Sequence, residues 1–153
     1  MTGPVLVIGI GNAFRSDDGI GLAVAAEIAR HRMPGVHVMT DIGDPGSMLD
    51  AWVGADLAIV VDAVISSAGT TGRVRRWTPG EDREPPVVSS HMLGLAQAYS
   101  LGEALGRLPR RLVVFTVDIA NVSHGDTLTP AVAAAVPRVV DAVRAELLTG
   151  KSS

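Results

Sequence analysis

A chain of 153 residues is long enough for one domain with a buried core, and 47% hydrophobic against 19% charged residues is globular composition. The net charge is -3, and the basic residues are scattered apart from Arg73, Arg75, Arg76 and the pair Arg110–Arg111. With aromatics at only 3%, both the basic stripe and the stacking platforms of a nucleic-acid binder are missing, and the absence of cysteine removes disulfides, thiolate metal sites and a cysteine nucleophile.

Strand and helix patterns alternate along the chain. Pro4 to Ile10 is a short β-branched run suited to a strand buried on both faces, and Gly9-Ile10-Gly11-Asn12 supplies turn chemistry after it. A helix is predicted from Asp18 to Arg32, with Ile20, Leu22, Ala23, Ala26 and Ile28 as its apolar positions and Asp17–Asp18 at its positive end. Val36 to Thr40 alternates as a second strand, Asp41 to Gly46 is a loop, and a short helix runs through Met48, Leu49 and Trp52. Leu57 to Ala63 is the most continuous apolar strand and is expected to be central. Gly72 to Trp77 alternates like an edge strand, and Thr78 to Pro86 is polar loop. Met92 to Leu105 reads as a helix, Leu112 to Val117 as a buried strand, and Pro130 to Leu148 as a closing helix with Thr129 as N-cap and a kink expected at Pro137.

This order predicts an α/β fold: a single three-layer domain over residues 1–153, with a mostly parallel, twisted sheet of about five strands and helices on both faces. Ligands in such sheets bind beyond the carboxyl ends of the strands, so the loops after strands one, two, three and five are the places to search. No apolar run approaches the ~18 residues of a membrane-spanning helix, and no basic leader precedes the first strand. A soluble cytoplasmic protein is the expectation, and the lack of cysteine fits a reducing compartment.

The first loop excludes the obvious nucleotide motifs. A dinucleotide fingerprint beginning at Gly9 requires a third glycine at position 14, where Phe14 stands, and no Walker pattern occurs. Asp17 and Asp18 would also repel a phosphate. One of the two suffices to cap the following helix, which leaves the other for chemistry. Asp62 follows five apolar residues, and a carboxylate at the end of a central strand is costly to bury unpaired. His91 opens a helix after a polar loop; His31 ends a helix, His37 faces outward on a strand, and His124 lies in a loop after the last strand. Two carboxylates and an imidazole from separate strand ends are expected to form an open metal site whose N/O donors suit nickel or zinc, with a free coordination position. A serine hydrolase is the competitor, but there is no Gly-x-Ser-x-Gly elbow, and Ser66–Ser67 and Ser89–Ser90 lack its strand-to-helix turn.

Four segments in order resemble the hydrogenase maturation endopeptidases. The stretch from Val7 to Gly21 is similar to their opening signature, Ile59 to Ala63 to their central strand, Ser90 to Leu95 to their histidine segment, and Leu128 to Val132 to the start of their final helix. The resemblance implies an endopeptidase that trims a C-terminal extension from the large-subunit precursor of a nickel–iron hydrogenase after nickel insertion. It maps the family's metal-binding and catalytic residues onto Asp18, Asp62 and His91. The nickel is then supplied by the substrate, zinc or cadmium being able to stand in for it in vitro. Substrate binding is expected at Asp41, Gly43 and Asn12. One segment departs: where the family commonly carries Asp-Gly-Gly-Thr, this chain has Asp41-Ile42-Gly43-Asp44, which leaves the metal residues intact and alters the substrate-facing stretch. The expected partner is the hydrogenase precursor, with no nucleic acid, no membrane insertion and a monomeric enzyme. A maturation module that binds nickel and precursor without cutting is the alternative, and a nucleotide-binding protein a third.

Overall fold

The computed structural model describes residues 3–12, 16–66, 69–79, 90–120 and 127–151, and of residues 16, 90–93 and 149–151 the backbone alone. Five strands, β1 (Val5–Ile10), β2 (Val36–Asp41), β3 (Leu57–Ile65), β4 (Val74–Trp77) and β5 (Arg111–Ile119), form one sheet in the order β2-β1-β3-β5-β4. All pairings are parallel except β4 with β5; β4 holds the edge position that its alternating sequence predicts, and runs antiparallel there. The helices are α1 (Ile20–Arg30), α2 (Pro45–Trp52), α3 (Ser90–Leu105) and α4 (Pro130–Lys151), with a 3-10 turn at Ser16–Gly19 before α1.

The period-two alternation of the strands divides the core into two layers. Val7, Ile59, Val61, Val113 and Phe115 face α1 and α4, where Ile20, Val24, Ile28, Val132 and Val139 meet them. Leu6, Ile8, Ala58, Val60 and Val114 face α2 and α3, against Met48, Trp52, Leu95 and Ala98. This is why β1, β3 and β5 lack the polar residues of a half-exposed strand: both faces are covered.

Several boundaries differ from the sequence expectation. The helix expected from Asp18 starts at Ile20, because residues 16–19 wind more tightly. Its buried stripe is Ile20, Gly21, Val24, Ala25 and Ile28, so Leu22 and Ala23 are only half-buried and Ala26 is exposed. β3 does not end at Asp62 but continues to Ile65, placing the carboxylate inside the strand. β5 extends through Asp118 and Ile119. α4 is continuous through Pro137. Among the described residues no helix is long and apolar enough to cross a membrane.

The sheet reverses direction at β1, because the chain passes from β1 to β2 on one side and then to β3 on the other. Pairing of β1 with β3 stops at Gly9 with Val61, whereas β3 stays paired with β5 from Asp62 with Thr116 to Ile65 with Ile119. Asp62 is therefore the first β3 residue beyond the split, at the crevice where sheets of this type hold ligands.

Candidate active site at the sheet switch point

Glycines hold the site together by allowing contacts that a side chain would block. A Cβ on Gly21 would meet the carbonyl oxygen of Ile10, and that of Val61 at 2.6 Å. A Cβ on Gly9 would meet the Gly21 carbonyl, and the Ala25 methyl at 2.8 Å. The start of α1 is thus seated directly on the ends of β1 and β3, and the Ser16–Gly19 turn before it touches β3. The glycines of the first loop serve close helix–strand packing, and a bound phosphate is not needed to explain them.

The neighbouring acids in that turn have different partners. Asp17 is 3% exposed, and its Oδ1 accepts the Thr129 N–H at 2.7 Å while Oδ2 accepts the Thr129 hydroxyl at 2.8 Å. It therefore caps the start of α4, 112 residues away in the chain. The sequence expectation that one of the pair caps α1 is corrected: the N-cap of α1 is Gly19, with no side-chain cap bond. Asp18, 7% exposed, accepts the backbone N–H of Asn12 at 3.1 Å, which ties the turn to the loop after β1.

The loop after β2 is fixed in the same region. The Gly11 N–H donates to the Asp41 carbonyl at 3.1 Å. The Asp41 carboxylate accepts the N–H groups of Gly43 and Asp44, each at 2.8 Å, so its visible task is to fold its own loop. Asp44 then caps α2 through the Ser47 N–H at 2.8 Å. Gly43 has a positive φ of 96, and Gly94 of α3 packs so closely on the Gly43 carbonyl that no side chain fits between them. This contact sets the start of α3, where His91 occupies the first turn, beside the Asp41 loop. Ile42 is left 76% exposed at that loop.

Asp62 is completely buried, and its Oδ1 accepts the N–H of Ala63 at 2.8 Å. Its position between Val60 and Val64 directs it to the α2/α3 face of the sheet. The structure thus brings together Asn12, Asp18, the Asp41–Gly43 loop and the crevice at Asp62, with the backbone of His91 on the adjoining helix end. The side chain of His91 lies outside the described residues, as do Phe14, Ser67, Ser89 and His124. Among the described residues no three His, Cys, Asp or Glu side chains form a metal-holding group. His31 and His37 are exposed, as the sequence suggested.

One polar group on the same sheet face escaped the sequence reading. Asp118 of β5 is fully buried and takes Arg75 of β4 in a two-point ion pair, Nε to Oδ1 at 3.2 Å and Nη2 to Oδ2 at 3.1 Å. Thr70 adds a hydrogen bond to Oδ2 at 2.5 Å. The hydrogen bond to Asp118 holds the Arg75 guanidinium above its ordinary pKa, against the desolvation that lowers it. The available signal was the alternation of Phe115-Thr116-Val117-Asp118-Ile119, which continues the strand pattern past Val117.

A family model described as hydrogenase maturation protease matches residues 22–146, more than half of the chain. The chain belongs to the hydrogenase maturation protease family. The matched span contains Asp62 and His91, with Asp18 just before it. Hydrogenase 2 maturation protease of Escherichia coli is 28% identical over 94% of this chain and 90% of its own length. The hydrogenase expression/formation protein HupD of Bradyrhizobium diazoefficiens is 31% identical over 84% of this chain and 69% of its own. Among solved structures, the hydrogenase maturating endopeptidase HybD from E. coli superposes with a TM-score of 0.80 at 24% identity, covering 95% of this chain and 93% of that one. The [NiFe] hydrogenase maturation protease HybD from Thermococcus kodakarensis gives 0.73 at 21% identity, covering 92% and 97%. The expected fold is this family's fold, and the chain is a peptidase of hydrogenase maturation.

Proposed function

We propose that this protease removes a C-terminal extension from the nickel-loaded large-subunit precursor of a nickel–iron hydrogenase, with Asp18, Asp62 and His91 receiving the nickel that the precursor carries. The observation that carries the reading is Asp62, a carboxylate wholly buried at the switch point of the sheet, against which glycine packing seats the turn bearing Asp18. A carboxylate held at this crevice attracts a cation, and the substrate delivers one on docking. The donor set fits: two carboxylates and an imidazole, in a chain without cysteine, hold nickel through oxygen and nitrogen and leave its remaining ligands to the precursor.

In this reading Asp18, Asp62 and His91 fix the docked metal and so align the scissile bond, while the ordered Asp41–Gly43 loop and Asn12 contact the precursor chain. Alignment by itself accelerates cleavage, because the reacting groups no longer have to find one another. Zinc or cadmium, which accept the same donors, are expected to occupy the site in vitro. We place the enzyme in the cytoplasm as a monomer whose partner is the precursor.

The test is cleavage of precursor prepared with and without nickel, followed by mass spectrometry of the released peptide. Nickel-dependent release that is lost in Asp62→Ala and His91→Ala supports the reading. Nickel-dependent binding of the precursor with no peptide released would instead favour a maturation module that recognises without cutting.

A further inference from the structure

Asp62 does not stand alone on its face of the sheet. In register, Asp62 of β3 lies opposite Thr116 of β5, and Thr116 lies opposite Arg75 of β4. Paired residues of neighbouring strands share a face and are separated by one strand spacing, about 4.8 Å in the hydrogen-bonding direction. Arg75 needs nothing further, since Asp118 engages it at two points. Thr116 differs. It is fully buried, and its Oγ1 has no hydrogen-bond partner among the described residues.

Buried hydroxyls without partners are rare, and each one calls for a reason. Packing supplies none here. Valine has the same branched shape, and Val113, Val114 and Val117 fill the neighbouring positions of the same strand. The indole N–H of Trp77 is also buried without a partner among the described residues, but the Trp77 ring belongs to the apolar cluster under α2 and α3, and that packing accounts for its place. Thr116 has no comparable apolar body to bury.

The chemistry beside it suggests the reason. A peptide group presents a carbonyl that needs a donor, which an ionised carboxylate is not. The hydroxyl next to Asp62 is such a donor. We infer that Thr116 is a substrate-binding residue whose hydroxyl donates a hydrogen bond to a carbonyl oxygen of the peptide bound at Asp62. The inference rests on the endopeptidase reading above and names a further contact within that site.

Thr116→Val and Thr116→Ser in the full chain test it, with the nickel-loaded precursor as substrate and thermal unfolding measured alongside. Thr116→Val is expected to melt at or above the wild-type temperature, because it removes an unsatisfied buried hydroxyl. Its KM is expected to rise about tenfold while kcat changes little, the pattern of a lost binding contact. Thr116→Ser retains the donor and should keep a KM near wild type. Wild-type KM in Thr116→Val overturns the inference, as does an equal KM rise in both variants accompanied by lower melting temperatures. A wild-type enzyme that cleaves no loaded precursor overturns the endopeptidase reading and this inference together, whereas an active wild type with an equally active valine variant overturns this inference alone.

Discussion

Asp17 and Asp18 are adjacent, acidic and buried, yet they should respond to mutation in opposite ways. Asp17 serves the fold: both of its oxygens are bonded to Thr129 at the start of α4. A hydrogen bond to a charged group contributes about 1.5–3 kcal/mol, and a carboxylate at a helix N-terminus adds a few tenths more. Simple addition overstates the loss, since Thr129 is exposed and can bond to water once Asp17 is removed. We therefore expect Asp17→Ala to cost about 2–3 kcal/mol, which at this chain length lowers the melting temperature by roughly 5–10 °C. Circular dichroism at 222 nm measures that shift. A double-mutant cycle with Thr129→Val isolates the hydroxyl contact, where coupling of about 1 kcal/mol is expected between residues that touch. Below their melting points Asp17→Ala should still process precursor, whereas Asp18→Ala should not. If Asp17→Ala melts within 2 °C, roughly the effect of a neutral surface change, or if the two costs add independently, the assignment of Asp17 to α4 is wrong.

Three further outcomes follow from the geometry. Gly21→Ala would normally gain up to about 1 kcal/mol of helix propensity, but its Cβ would collide with the Ile10 and Val61 carbonyls, neither of which can turn aside. It should instead lose about 1–3 kcal/mol and most activity, while Gly46→Ala, whose nearest neighbour is Asp44 Oδ2 at 3.5 Å, should unfold no more easily than wild type. Asp62→Asn keeps the shape of the buried side chain and removes its charge, so stability measured by urea titration should hold or rise while processing is lost; an unfolded variant would show that the charge is needed by the fold. A nucleotide or dinucleotide should leave the melting temperature unchanged, because only a ligand that prefers the native state raises it; a clear upward shift would restore the nucleotide-binding alternative.

The sequence made some features legible and concealed others for identifiable reasons. β1, β3 and β5 are readable because burial on both faces forces unbroken apolar runs, and β4 because one exposed edge imposes alternation. Asp62 stands out in the sequence because a carboxylate in the run Leu57 to Ile65 has no packing rationale. Its interior position was hidden, since a single acid in an apolar run looks like an end point. The different tasks of Asp17 and Asp18 cannot be read locally, because what separates them is a contact with Thr129 on the far side of the chain. The glycines were visible as a turn, but their role as contact surfaces depends on which carbonyls the fold brings against them. Arg75 and Asp118 were missed because their pairing follows from the β4–β5 register, and β5 had been expected to stop at Val117.

The proposed function asks an architecture suited to anions to take a cation. In doubly wound sheets the strand ends and helix starts direct N–H groups into the crevice, which favours phosphate. Here several loop N–H groups around the crevice are taken by the protein's own carboxylates. Asp18 takes the N–H of Asn12, Asp41 takes those of Gly43 and Asp44, and Asp17 takes that of Thr129. Each pairing cancels some of the positive potential that a phosphate would use. Asp62, buried on the strand between these loops, adds a further carboxylate to that crevice. The same glycines that would let a pyrophosphate approach in another protein here let α1 come down onto β1 and β3. On the proposed reading, a change of ligand class requires no change of topology, only acidic side chains that take the N–H groups of the loops around the crevice.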